Sequence, residues 1–331
     1  MQEYIEFVSG LLYDCSGEVI EVWGKSMNLD FDTKVKNTIE ESHIYREEPM
    51  KKHTTFRVGG NADYFITPGS LSELEALVAL CKETAMPYYI VGNGSNLLVS
   101  DEGYRGVIIQ IGREMSDIRI EENRMQVQAG AMLSAIGNAA LRSGLTGFEF
   151  AAGIPGTLGG AVAMNAGAYG GEMKDVLDAA TVLTPEGERM TLSNRELEFS
   201  YRTSGVSKQG YVVLEASLSL SHGDREAIKS KMEELRAKRK EKQPLEYPSA
   251  GSTFKRPEGY FAGKLIQDAQ LRGFQVGGAK VSEKHCGFVI NEGNATAADI
   301  WELICRVSAI VKEKFGVELE PEVKRLGEFK R

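Results

Sequence analysis

The chain has 331 residues, 42% of them hydrophobic and 26% charged, a composition typical of globular proteins and a length with room for two or three domains. Its formal net charge of −8 argues against a general nucleic-acid-binding surface, because phosphate backbones are met by clustered Lys and Arg. No stretch reaches the ~18 uncharged apolar residues of a membrane span, and the N-terminus MQEYIEFVSG has neither a basic region nor a long apolar run, so a cytoplasmic protein is expected.

Residues 1–50 are acidic and weakly patterned. TTFRVGGNADYFITP (54–68) reads as a strand pair with its turn at Gly59-Gly60-Asn61. A helix is expected over 70–85, because Ser70 and Glu73 form a capping box and Leu71, Leu74, Leu77, Val78 and Cys81 form an apolar face. PYYIVG, LLVS, GVIIQIG and MQVQAG read as strands, and 132–143 as a helix stopped by Gly144. AATVLTPEGERMTL reads as a hairpin and 211–220 as a strand. Residues 224–242 read as a helix whose mixed charges form a solvated face. Further on come a helix near 261–271, the strand CGFVIN, a helix at about 296–315 and a last strand VELEPEVKRL. Cys15, Cys81, Cys286 and Cys305 form no CxxC pair, so reduced thiols and no metal site are expected.

Two glycine-rich stretches carry the chemistry. Gly92-Asn93-Gly94-Ser95-Asn96 follows a strand, but Asn96 stands where a Rossmann loop has its third glycine, and a strand follows instead of a helix. A phosphate-cradling turn between strands fits better, with a plain hairpin turn as the alternative. Residues 144–171 hold nine glycines and one charge, Glu149. That is too apolar for a linker and too glycine-rich for a regular helix or strand. It reads as backbone packed against a large flat ligand, the wall of a dinucleotide site. His53 and His285 read as ordinary hydrogen-bonded or surface histidines.

VGNGSNLLVSD (91–101) and GFEFAAGIPGTLGGAVAMNAGAYGGE (147–172) resemble the flavin-binding domain of the MurB family, the UDP-N-acetylenolpyruvoylglucosamine reductases. The resemblance continues in order through TTFRVGG (54–60), FSYRTS (199–204), AGSTFKRP (250–257), GGAKVSEKHCGFVIN (277–291) and EPEV (320–323). It implies an α+β fold: an FAD-binding region of the vanillyl-alcohol-oxidase (PCMH) type with two α+β subdomains over 45–222, and a C-terminal α+β substrate region over 223–331. The last strand would return to the active site, and residues 1–44 would form an extension of unknown role. It also implies non-covalent FAD, NADPH as hydride donor, and reduction of the enolpyruvyl ether of a UDP-sugar in peptidoglycan precursor synthesis.

By that resemblance, Arg202 is the cation that meets the substrate carboxylate, Ser252 the proton donor and Glu322 the third catalytic residue. FAD would be held by Arg57, Gly92, Asn93, Gly94, Ser95, Asn96, Ala152, Gly153, Pro155, Gly156, Gly159 and Gly160. Lys255, Arg256 and Tyr201 would bind substrate. Arg256 stands where the family commonly has Asn, which puts the geometry of that phosphate contact in question. No extra loop separates strand 211–220 from the helix at 224, so the chain resembles the family's shorter second type, and what closes over the substrate is not evident. An FAD-dependent oxidase of the same superfamily is the alternative reading, and a non-catalytic nucleotide-binding module a further one. The sequence leaves the oligomeric state open, a monomer being consistent with it.

Overall fold

The computed structural model describes residues 30–329, together with the backbone of a short ladder, Leu12–Tyr13 with Val19–Ile20. Most of the expected extension over 1–44, and Cys15, lie outside the described residues. Residues 30–44 do not stand apart: Phe31, Val35 and Ile39 are buried in the core of the first lobe.

That lobe is a four-stranded sheet of β1 (Ile44–Pro49), β2 (Asn61–Ile66), β3 (Tyr88–Val91) and β5 (Tyr104–Gln110), in the order β1-β2-β5-β3. β1 is antiparallel to β2; the other pairs are parallel. Helix α1 (Leu71–Glu83) covers one face with Leu74, Leu77, Val78 and Cys81. Ser70 caps it by accepting from the Glu73 N–H, while the Glu73 carboxylate accepts from Gly69 instead of Ser70. The opposite face, with Phe65 and Ile108, lies under β4 (Leu97–Val99) and the last strand. Each such fully buried side chain contributes about 1.5–3 kcal/mol.

The expected strand over 54–59 is absent. Thr54 donates to the Val58 carbonyl and the Thr55 N–H to the Gly94 carbonyl, so this backbone bonds to the glycine loop and not to a sheet. Its place is taken by β1, whose sequence IYREEP buries only Ile44 among its first four residues and shows no alternation to read.

The second lobe is a five-stranded antiparallel sheet of β6 (Ile118–Glu121), β7 (Arg124–Gln128), β8 (Leu177–Leu183), β9 (Arg189–Ser193) and β10 (Val212–Ser219), ordered β9-β8-β10-β7-β6. Helices α2 (Leu133–Arg142) and α3 (Leu158–Met164) share its core. Helix α3 corrects the expectation that 144–171 holds no regular element. Gly159 and Gly160 sit in its first turn, and a Cβ on Gly159 would lie 3.1 Å from Ala129 Cβ. Close packing on β7 outweighs the poor helix propensity of glycine.

Helix α4 (Arg225–Lys242) is capped by Asp224 and buries Ile228 and Leu235. Met232 approaches Gly137 of α2, and Arg239 donates to the Gly153 carbonyl. Although assigned to the C-terminal region from sequence, α4 packs on the second lobe, and the chain crosses to the third lobe after Lys242. That lobe pairs α5 (Ala262–Asp268) and α6 (Ala297–Phe315) with a meander of β11 (Gln275–Val276), β12 (Ala279–Val281) and β13 (Val289–Asn291). Of the expected last strand only β14 (Lys324–Leu326) forms, parallel to β4.

The lobes are locked by Asp101, at the end of the 91–101 motif. Its two carboxylate oxygens accept from the N–H groups of Ala297 and Ala298 at 2.8 and 2.9 Å, in the first turn of α6. Asp101→Ala is expected to cost about 1–2 kcal/mol, the value of an N-cap together with a favourable dipole contact. Urea unfolding of the apoprotein measures it, and an unchanged midpoint would remove Asp101 as the lock.

Candidate active site

Arg202, Ser252 and Glu322 come from three distant segments and meet. Two cavities, of about 1830 and 380 Å³, share these three residues as lining. Glu322 is placed by its backbone. Its N–H donates to the Thr253 carbonyl at 2.8 Å, and its carbonyl accepts from Asn96 Nδ2 at 3.0 Å. Two residues on, the Lys324 N–H donates to the Asn96 carbonyl as β14 pairs with β4. The last strand thus wedges Glu322 between the 92–96 loop and the residue after Ser252.

Ser252 sits on an exposed loop after Gly251, but its neighbour is fixed. Thr253 is fully buried, donates its N–H to Gly287 O and accepts the Val289 N–H on Oγ1. Arg202 lies at a corner closed by Ser200 and Thr203, which bond each other through both backbone pairs. Its φ is +57°, a left-handed conformation that costs a non-glycine residue about 1–3 kcal/mol. The turn is anchored by Asn165 Nδ2, which donates to the Ser200 carbonyl at 3.2 Å and to Glu172 at 2.9 Å.

Arg202 Nε lies 2.9 Å from Glu322 Oε1, with side-chain exposures of 20% and 12%. The approach is an ion pair by distance, but the Nε–H is not aligned on that oxygen and finds no hydrogen-bond acceptor among the described residues. Burial pushes the Glu322 carboxyl above its ordinary range, and the Arg202 guanidinium opposes that shift. The site therefore holds a cation with a donor to spare beside a carboxyl whose affinity for a proton burial has raised.

Tyr201 OH accepts the Arg256 N–H at 3.1 Å, and the Arg256 guanidinium lies 3.9 Å over the Phe261 ring. Tyr201, Arg256 and Phe261 line the smaller cavity. Lys255 lines neither and pairs with Glu320.

Of the residues expected to hold FAD, Arg57, Asn93, Ser95, Asn96, Ala152, Gly153 and Pro155 line the larger cavity. Gly92, Gly94, Gly156, Gly159 and Gly160 stand behind them. At two of them glycine permits close approach: a Cβ on Gly92 would lie 2.2 Å from Thr157 Oγ1, and one on Gly94, at φ +59°, 2.0 Å from His53 O. Asn93 Nδ2 ties the two glycine loops through the Pro155 carbonyl at 2.8 Å. The backbone N–H groups of Asn93, Gly94, Ser95 and Asn96 find no acceptor among the described residues. Successive free N–H groups on a turn form an anion-binding concavity, so these residues fit a diphosphate cofactor.

Two features that read from sequence as ordinary surface, a histidine and a solvated helix face, line the site. His285 lines both cavities; its Nδ1 accepts from the Gly287 N–H at 3.1 Å, and burial lowers its pKa. The basic face of α4 lines the larger cavity; the signal was helical spacing of Lys229, Arg236 and Arg239 immediately before the Ser252 loop. His53 stacks on Phe65 and bonds Glu48. Among the described residues Cys81 and Cys286 are buried free thiols and Cys305 an exposed one. No group of residues among them could hold a metal ion, and no helix is long and apolar enough to cross a membrane.

Two α+β lobes around a diphosphate-ready cavity, with a third lobe closing on it, are the frame of an FAD-binding oxidoreductase. The FAD binding domain profile matches residues 62–193, and that of the UDP-N-acetylenolpyruvoylglucosamine reductase C-terminal domain matches 243–326. The reductase of Caldanaerobacter subterraneus subsp. tengcongensis is 55% identical over 89% of this chain and 97% of its own, and that of Agathobacter rectalis 55% over 92% and 100%. The crystal structure of the Thermus caldophilus reductase (MurB) superposes with a TM-score of 0.74 at 37% identity, covering 86% of this chain and 99% of its own. The chain belongs to the UDP-N-acetylenolpyruvoylglucosamine reductase family.

Proposed function

We propose that Arg202, Ser252 and Glu322 are the working groups of an NADPH-dependent reduction of UDP-N-acetylenolpyruvoylglucosamine to UDP-N-acetylmuramate. The observation that carries this is their convergence at the junction of the two cavities, with Glu322 bonded between Asn96 and Thr253. FAD, when bound, supplies the hydride relay between NADPH and the enolpyruvyl methylene carbon.

Hydride addition leaves negative charge spread into the substrate carboxylate. Arg202 holds that carboxylate, and its free Nε–H gives a donor where charge develops. Glu322, paired with Arg202 at 2.9 Å, fixes the guanidinium beside that group. Ser252 delivers a proton to the carbon bearing the carboxylate and the ether oxygen. A hydroxyl is a weak acid, but Arg256, Arg272 and Lys284 line the cavity beside it and favour the alkoxide it leaves. Tyr201 and Arg256 contact the UDP-sugar from the smaller cavity. One chain supplies every working group, so a monomer suffices, and the nucleotide substrates assign the work to the cytoplasm.

The test is anaerobic stopped-flow absorbance at the flavin band. NADPH is expected to bleach the flavin, and UDP-N-acetylenolpyruvoylglucosamine to restore it. Bleaching by NADPH without restoration by the enolpyruvyl substrate would point to a different acceptor, as the oxidase alternative requires. A protein that binds no FAD would overturn the reading.

A further inference from the structure

Helix α4 turns a row of cations toward the larger cavity. Lys229, Arg236 and Arg239 line it, with Glu233 between them, at spacings that place them on one side of a helix. Arg239 spans from that helix to the second glycine loop, donating through Nη1 to the Gly153 carbonyl. The guanidinium lies directly against Gly153: a Cβ there would be in ordinary contact, 3.5 Å from Arg239 Nε and Nη1. The Arg239 Nε–H is buried and finds no acceptor among the described residues. A buried guanidinium donor left unpaired is costly, and one on a cavity wall is satisfied by an anionic ligand oxygen. The free N–H groups of the 92–96 loop belong to the same cavity, where Asn93, Ser95 and Asn96 line it. Asn93 bonds Pro155 and Arg239 bonds Gly153, so both donor sets are tethered to one short loop.

We propose that Arg239 closes on the diphosphate of FAD, clamping it against the 92–96 loop, and thereby sets a preference for FAD over FMN. This rests on the FAD reading above. A guanidinium with free donors on one edge matches two phosphate oxygens in a fork. The UDP-sugar and NADPH also carry diphosphates. FAD is favoured because Arg239 lines only the larger cavity, whereas the reacting groups line both.

Apoprotein, wild type and Arg239→Gln, would be titrated with FAD and separately with FMN, following flavin fluorescence. The variant is expected to bind FAD about tenfold or more weakly and FMN as wild type does. Its KM for the UDP-sugar at saturating FAD should not move. Unchanged FAD affinity overturns the proposal; if the KM for the UDP-sugar rises instead, the diphosphate held is the substrate's. Should Arg239→Gln fail to fold, Arg239→Lys carries the test: it keeps the charge, loses the fork, and must still lose part of the preference for FAD. Wild-type apoprotein that binds neither flavin would sink the FAD reading itself, an outcome distinct from equal binding by both proteins.

Discussion

Ser252→Ala is expected to reduce its flavin with NADPH at the wild-type rate and to reoxidise it with the enolpyruvyl substrate about 10²–10⁴-fold more slowly, the usual contribution of a positioned general acid. The split follows from the chemistry. Reduction by NADPH needs no proton at substrate carbon; the second half-reaction does. Ser252 is exposed, and its neighbour Thr253 does the packing through Gly287 and Val289. The loop should therefore hold its shape, and stability should change by less than about 0.5 kcal/mol. Double-mixing stopped-flow separates the two steps. Equal slowing of both would make Ser252 a structural residue, and a wild-type second step would remove it from the chemistry.

Arg202→Ala is expected to lose about 10²–10³-fold in the enolpyruvyl half-reaction, the cost of removing a donor aimed at developing charge. It should also lose stability, up to about 3 kcal/mol near neutral pH, because a buried carboxylate is left without its cation. The left-handed backbone at residue 202 is still strained with alanine, so no relief offsets the loss. The pH dependence has a definite sign. The Glu322 pKa is already raised by burial, and Arg202 is what holds it down. A group with a raised pKa in the folded state stabilises most below its unfolded value and loses that contribution as pH rises through the folded value. The stability deficit of Arg202→Ala should thus be small in acid and grow toward neutrality and above. Adding Glu322→Gln to Arg202→Ala should restore most of the stability and none of the activity. Thermal unfolding of the apoproteins from acid to mildly alkaline pH checks this. A deficit independent of pH would mean the carboxylate is solvated and the pair contributes nothing.

Local signals in the sequence were sufficient for elements that carry their own caps and faces. Ser70 with Leu74, Leu77, Val78 and Cys81 marks α1, and Thr296 with Asp299 starts α6. Residues 184–188 turn the hairpin of β8 and β9. β1 escaped because its exposed residues show no alternation, β6 because its alternation of Ile118 and Ile120 with Arg119 and Glu121 spans only four residues, and α3 because glycine reads as a breaker wherever tertiary packing is unseen.

The candidate site divides the same way. Arg202, Ser252 and Glu322 were singled out by resemblance to the family's motifs; residue type alone would have left them a surface arginine, a turn serine and a strand glutamate. Nothing local says that β14 pairs with β4 across more than 220 residues, or that this pairing sets Glu322 between Asn96 and Thr253. Nor does the sequence of α4 say which side of it faces water, so a helix that reads as a solvated face becomes a cavity wall only once Gly153 is brought beneath Arg239. By itself the sequence determined which groups are available and which stretches are helix or strand, because propensity, capping and periodicity act within a few residues. Which groups meet, which carboxyl loses its water and which cation is left with a free donor were decided only by tertiary structure, because burial and long-range pairing are properties of the assembled lobes.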